Sequence, residues 1–282
     1  MKKNKYSVVI CSYNSGKYIV NAIESVKKNI DIDDELIIIN DGSTDNTETL
    51  LLKYKDTPQI KIIGYKKNKG LASARNTGWK NASNDIIFFI DADAELPDYM
   101  LNKLDKIFSG NYDADAVTGR GIESDLCSVY DLWRKEFFSQ TQGNKVVINP
   151  EYFSGLCMAL KKKCLEKLNG FSEMFTSHAE DVEFALRFKK MKLFSLYDPD
   201  LFVYHKRTDD FESLKKMVFN HVYWSIEAGK LHNQNKILKY FAATLKLFVK
   251  YFIKSIKLKN KDLFFISLSM IKMRMKAVLK AV

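Results

Sequence analysis

The first hundred residues alternate short apolar runs with segments of helical period. Residues 6–11, 36–39 and 86–90 are almost continuously apolar, which predicts strands buried on both faces; 61–65 is a weaker fourth. Between them, helices are expected at about 16–29, 45–55 and 71–82, with Ser43, Thr44 and Asp45 as N-cap candidates for the second. Strands that alternate with helices in this way imply a mostly parallel, twisted sheet flanked by helices, an α/β fold. Ligands of such sheets bind beyond the carboxyl ends of the strands. Those ends carry Ser12-Tyr13-Asn14, Asn40-Asp41-Gly42-Ser43 and Asp91-Ala92-Asp93-Ala94-Glu95. Three polar loops on one sheet edge make a candidate site.

Past Pro97 the pattern is less regular. A helix is expected over 97–109, a strand over 114–121, a helix over 126–139 and a loop entering a strand over 149–159. Helices near 161–168 and 180–191 follow, then short strands near 193–197 and 201–205. Four prolines and the lack of a Gly/Ser-rich run argue against a flexible linker.

Composition changes the picture in two places. The cysteines, Cys11, Cys127, Cys157 and Cys164, show no C-x-x-C spacing, and the start of the chain has no signal-peptide pattern, so a reducing, cytoplasmic setting is expected. The net charge of +11 is unevenly spread: residues 1–210 hold 30 Lys+Arg against 31 Asp+Glu, and residues 211–282 hold 15 against 3. A near-neutral body at 1–210 and a basic helical region at 211–282 are therefore expected.

The chemistry starts from Asp91 and Asp93. Extended geometry would send both carboxylates to one side, and a turn would part them. Hard divalent cations take oxygen ligands and commonly bridge carboxylates to substrate phosphates. A D-x-D triplet alone is weak evidence; its place after a buried strand, with Asp41 on the same edge, strengthens it.

With these residues in view, the chain resembles the inverting family 2 glycosyltransferases with the GT-A (nucleotide-diphospho-sugar transferase) fold. The likeness covers about residues 6–205. It rests on Val8-Val9-Ile10-Cys11-Ser12-Tyr13-Asn14, Asn40-Asp41-Gly42-Ser43-Thr44-Asp45, Lys69-Gly70-Leu71-Ala72-Ser73-Ala74-Arg75-Asn76, Asp91-Ala92-Asp93, Gly170-Phe171-Ser172-Glu173 and Glu180-Asp181. The resemblance implies transfer of a sugar from a nucleotide-diphosphate sugar, a UDP-sugar, to a glycan or lipid-linked acceptor. In it Asp41 contacts the nucleobase, Ser12, Tyr13 and Asn14 border the nucleoside, and Arg75 lies near base and ribose. A pairing of Arg75 with a helix-surface acid is the alternative. Asp91 faces the ribose or a metal-bound water, Ala92 separates it from Asp93, and Asp93 binds the metal.

The same resemblance assigns the catalytic base to Asp181, with Glu180 beside it, and places Gly155 and Phe171 on the acceptor side. Glu183 is read as structural, pairing with Arg187 at i,i+4. His205 is implied as a third metal ligand, and Lys206 and Arg207 would meet diphosphate oxygens or line a lid. Relatives often have Gly-Gly-Phe where this chain has Asn169-Gly170-Phe171, and Asn tolerates left-handed backbone well. The cofactor is Mn²⁺ or Mg²⁺, an imidazole ligand tilting towards Mn²⁺.

In the basic region, residues 236–258 have helical period. Lys236, Lys239, Lys246, Lys250, Lys254 and Lys257 fall within about 80° of one another, away from Leu238, Phe241, Leu245, Phe248, Phe252 and Ile256. Four lysines argue against a spanning helix. The helix either packs on the catalytic domain with its lysines exposed or lies on an anionic membrane surface, making the protein peripheral on the cytoplasmic face; the second is preferred. Two other functions are weighed. A polyprenyl-phosphate glycosyltransferase would need little deprotonation of its acceptor. A basic nucleic-acid-binding protein conflicts with an acidic site and with aromatics on apolar faces; no nucleic-acid partner is expected.

Overall fold

A computed structural model describes residues 3–110, 113–176, 178–232 and 237–282. The first two residues of the chain and Lys236 of the lysine row lie outside these described residues. The chain divides into two compact units, residues 1–122 with 140–206, and residues 123–139 with 207–282.

The first unit is built on the predicted buried strands. These are β1 (Tyr6–Ser12), β2 (Glu35–Asn40), β3 (Ile60–Gly64) and β4 (Ile86–Asp91), joined by α1 (Ile19–Lys27), α2 (Thr47–Leu51) and α3 (Leu71–Lys80). β1 pairs in parallel with β2 and with β4, and β2 with β3. Alternate residues feed separate cores. Val8, Ile10, Leu36, Ile38, Phe88 and Ile90 lie in one, Val9, Ile37, Ile39, Ile87 and Phe89 in the other. Both faces are covered, which is why these strands are continuously apolar rather than alternating.

Beyond β4 come β5 (Ala94–Glu95), α4 (Met100–Phe108), β6 (Ala116–Glu123), α5 (Val129–Phe137), β7 (Val147–Ile148), β8 (Cys157–Lys161), α6 (Lys162–Leu168), α7 (Glu180–Lys190) and β9 (Ser195–His205). The strand order is β3-β2-β1-β4-β8-β6-β9-β5, with β7 on β9. β8 is antiparallel to β4 and to β6, and β5 and β7 are antiparallel to β9. The parallel expectation thus describes β1–β4, and the sheet as a whole is mixed.

Three local expectations are corrected. Two short strands near 193–197 and 201–205 are one strand, β9, which runs through Pro199; the Asp198 side chain accepts from the Asp200 amide there, at 2.8 Å. The helix at 126–139 is shorter, because the Ser128–Asp131 capping box starts it at Val129. Ser43, Thr44 and Asp45 do not cap α2 as its N-cap residue, which is Asn46; Asp45 instead accepts from Thr47 N at 3.0 Å and from Gly16 N at 3.0 Å.

The second unit joins α5 to α8 (Phe211–Leu231), α9 (Ile237–Lys257) and α10 (Lys261–Lys280). Trp133, Leu214, Val218, Tyr251, Leu263 and Met270 form its core, and Trp133 Nε1 donates to Ser267 Oγ at 2.9 Å.

Candidate active site

The register brings the strand-end loops together. Ser12 lies beside Asn40 and Cys11 beside Asp91, so the ends of β2, β1 and β4 are consecutive along one edge. Ser12 is buried and its Oγ has no hydrogen-bond partner, whereas the Tyr13 ring is half exposed. Asn14 has a left-handed backbone (φ 51°), and its Oδ1 accepts from Thr44 N at 2.7 Å. That bond ties the loop after β1 to the loop after β2. Asp41 is buried, with Oδ1 accepting from Lys69 N at 2.7 Å and Oδ2 from Gly70 N at 2.9 Å. Burial pushes its carboxyl up while these two amides oppose the rise. Gly70 takes φ +95°, a conformation open to glycine and costly for other residues.

After β4 the chain turns at Ala92 and Asp93 and re-enters extended structure as β5. The turn sends the two carboxylates to different partners. Asp91 Oδ1 meets Arg75 Nη2 at 3.2 Å, and Asp93 Oδ2 lies 3.6 Å from His205 Nε2. Ala92 is buried between them. The pairing of β5 with β9 sets Ala94 against His205, and Lys206 N donates to Asp93 O at 2.8 Å. A strand more than a hundred residues downstream therefore delivers the imidazole to the D-x-D turn.

Arg75, on α3, is the centre of the site. Its guanidinium is 2% exposed and bonds Glu180 Oε1, Asp91 Oδ1 and, at 3.1 Å, the Gly155 carbonyl. Of the acids it pairs with, Glu180 is buried and Asp91 is half-buried at the end of β4. Gly155 also donates its N–H to Asp181 Oδ2 at 3.0 Å, and Asp181 Oδ1 accepts from Val182 N at 2.8 Å. A Cβ at Gly155 would sit 2.4 Å from Arg75 Nη2, so only glycine lets this strand end approach the guanidinium. Asp181, Gly155, Arg75 and Asp91 thus form one connected chain of hydrogen bonds.

Two residues expected on the acceptor side are buried. Phe171 is 2% exposed, edge-on to Phe89 at 5.4 Å and against Phe184 at 4.7 Å, so it supports the site from within the core. Glu180 is 3% exposed and turned to Arg75. Its second oxygen is buried without a partner, and burial, opposed by Arg75, pushes its carboxyl up to about 7. Asp91 is also raised, by burial first and then, against Arg75, by Asp93.

Neighbouring side chains are held by ion pairs and backbone geometry. Glu183 pairs with Arg187 Nε at 2.7 Å, and Asn169 adopts the left-handed backbone (φ 55°). Lys206 reaches Glu95 at 3.8 Å, and Arg207 pairs with Asp209 at 2.8 Å. Asn76 carried no role in the sequence. It accepts from Phe171 N at 2.8 Å and donates to Phe171 O at 2.9 Å, fixing α3 to the segment that leads to α7. Its partner is 95 residues away, so no local signal could have shown it.

Four carboxylates, Asp91, Asp93, Glu180 and Asp181, influence one another around a single arginine. Among the described residues no three metal-ligating side chains form a ready cluster. Asp93 and His205 nevertheless present an oxygen and a nitrogen to one point in an acid-rich site. That donor set fits a Mn²⁺ or Mg²⁺ ion completing its shell with water and phosphate oxygens.

A β1–β4 nucleotide-type edge, a D-x-D turn and a mixed sheet are the features of a GT-A fold, and the family model for glycosyl transferase family 2 matches residues 7–168. The chain belongs to that family. It is 32% identical over 229 residues to the poly(ribitol-phosphate) beta-N-acetylglucosaminyltransferase TarP of Staphylococcus aureus, which covers 77% of this chain and 66% of that protein. The chain therefore spans just under two thirds of that relative. Among solved structures it resembles the S. aureus TarS fragment in complex with UDP (TM-score 0.58, 20% identity, 77% of this chain and 64% of that one). It also resembles the mannosyltransferase PcManGT from Pyrobaculum calidifontis in complex with GDP-Man and Mn²⁺ (TM-score 0.66, 16% identity, 99% and 87%).

Proposed function

We propose that the chain is a metal-dependent, inverting glycosyltransferase of glycan assembly. It moves a sugar from a nucleotide-diphosphate sugar, UDP-linked, to a hydroxyl of a glycan or lipid-linked saccharide. The observation that carries this reading is the hydrogen-bonded chain from Asp181 through Gly155 and Arg75 to Asp91, next to the Asp93–His205 pair. It couples a carboxylate oriented by two backbone amides on one side to the D-x-D turn on the other.

The loops carrying Ser12, Tyr13, Asn14 and Asp41 would border the nucleoside, Tyr13 supplying an exposed ring. Asp41, its oxygens already engaged by two amides, also shapes the loop at Lys69–Gly70. Arg75 would act from beneath, holding Asp91 and Glu180 in place. Asp93 and His205 would hold the divalent cation, which offsets the charge of the departing diphosphate. Asp181, oriented by the Gly155 and Val182 amides, would take the acceptor proton as the hydroxyl attacks the anomeric carbon from the opposite face. A lipid-linked acceptor would bring the protein to the cytoplasmic face of a membrane.

A thermal-shift screen of UDP, GDP and their sugars, with and without Mn²⁺, tests the donor half, because stabilisation grows with ligand concentration over its dissociation constant. Asp93→Ala should abolish the metal-dependent shift, and Asp181→Ala should keep it while losing transfer. Equal loss of binding in both would overturn the division of roles. Retention of most activity by Asp181→Asn would move the acceptor from a hydroxyl to a polyprenyl phosphate.

A further inference from the structure

Helix α9 buries a sector of hydroxyl-bearing residues and leaves its apolar sector outside. Thr244, Tyr251 and Ser255 face the helical unit at 0%, 1% and 3% exposure, while Leu245, Phe252 and Ile256 face outward at 55%, 44% and 60%. Buried Arg274 of α10 donates from Nε to Thr244 Oγ1 at 3.4 Å, while Tyr251 packs with Trp133, Phe137 and Met270. The Tyr251 hydroxyl and Ser255 Oγ are buried without hydrogen-bond partners. A helix that met only water outside would gain by the opposite arrangement. The apolar face continues onto α10: Phe252 of α9 lies 5.7 Å from the Phe264 ring, which lies 5.6 Å from that of Phe265.

The charges select the occupant. α9 contains no Asp or Glu, and none occurs between Glu227 and Asp262. Exposed Lys239, Lys246, Lys250 and Lys257 run along one border of the apolar face, while Lys254 turns to Glu136 at 2.6 Å. A second copy seated on this face would bring two lysine rows together. A polynucleotide would meet the lysines and leave the rings in water. No described helix is long and apolar enough to cross a membrane.

We propose that the outer face of α9, with Phe265 of α10, lies in the plane of an anionic lipid leaflet, its rings among the acyl chains and its lysines at the headgroup phosphates. This places the whole requirement on the C-terminal helices and does not depend on the donor or on transfer.

The test is co-sedimentation of the full-length chain with vesicles of phosphatidylglycerol and, separately, phosphatidylcholine. The wild type should bind phosphatidylglycerol vesicles, weaken as salt rises and ignore phosphatidylcholine. Phe248→Ser with Phe252→Ser should lose roughly a hundredfold in vesicle affinity, as two rings leave the acyl layer. Lys246→Glu with Lys250→Glu should also lose binding, and both double variants should keep the nucleotide-dependent thermal shift of the wild type. Failure of the wild type to bind phosphatidylglycerol overturns the proposal, as does a dimer in light scattering that the Phe248→Ser, Phe252→Ser pair dissociates. Loss of the nucleotide shift in the wild type would count against the donor reading instead.

Discussion

Each unit is organised around a buried arginine, and the two are satisfied differently. Arg134, in the helical unit, bonds Glu123 through Nε at 2.9 Å and Nη2 at 2.7 Å, bonds Asp209 and the Arg207 carbonyl, and has Asp131 at 3.7 Å. Asp131 in turn caps α5 and accepts from Asp209 N at 2.7 Å. Burial works to raise the Asp209 carboxyl, but Arg207 and Arg134 outweigh it and hold it below the usual range. Arg75 faces a different balance. Glu180 keeps a buried oxygen without a partner, and Glu180 and Asp91 are both pushed up. A network in which no buried carboxylate oxygen lacks a partner acts as a staple. One that leaves a buried carboxylate oxygen without a partner is suited to receive a cation and a substrate.

This comparison can be broken at several points. Asp181→Ala should cost about 10²–10⁴-fold in kcat, the range of general-base catalysis, with nucleotide binding retained in thermal shift. Arg134→Met should lower stability by about 3–5 kcal/mol, because it strands three buried carboxylates. Urea unfolding would show this. Arg75→Met, by contrast, should lose transfer with a smaller stability change, since Glu180 and Asp91 are already pushed up and can take a proton once the guanidinium is gone. Equal stability losses at the two positions would erase the distinction.

Smaller effects concern pH. The folded pKa of Glu180 is raised to about 7, so its contribution to stability is greatest below its unfolded value and is lost as pH rises through about 7. Glu180→Gln should flatten the pH dependence of the melting temperature between roughly pH 4 and that point. Asp209 has the opposite sign. Its folded pKa is depressed, so its contribution is present above the unfolded value and lost as pH falls through the folded one. Asp209→Asn should shift the acid-unfolding midpoint upward in far-UV circular dichroism.

Much of the catalytic unit could be read in advance because its signals are local. Buried parallel strands need continuous apolar runs, so β1, β2 and β4 are visible in their composition alone. Their order then puts Ser12, Asp41 and Asp91 at one edge. The sequence also exposed the Glu183–Arg187 pair, since residues four apart meet on any helix. It did not show that Phe171 lies in the core and that Glu180 turns to Arg75. Both sit in motifs that line a site, but their orientation is set by α3, through Asn76 and Arg75. Nor did it show that α5 belongs with the C-terminal helices, because that depends on contacts across more than seventy residues.

The basic helix makes the same point at its sharpest. Periodicity alone predicts a helix over 236–258, with lysines gathered on one side and apolar residues elsewhere, and α9 spans Ile237–Lys257. Which side would be buried was left open, because hydrophobic pattern favours the apolar face and cannot anticipate the partners a tertiary fold provides. Packing chose a third sector, Thr244, Tyr251 and Ser255, and left the phenylalanines outside. Local propensity and period are properties of the chain itself. The choice of face, like the meeting of Asp93 with His205, depends on which distant elements are brought within contact.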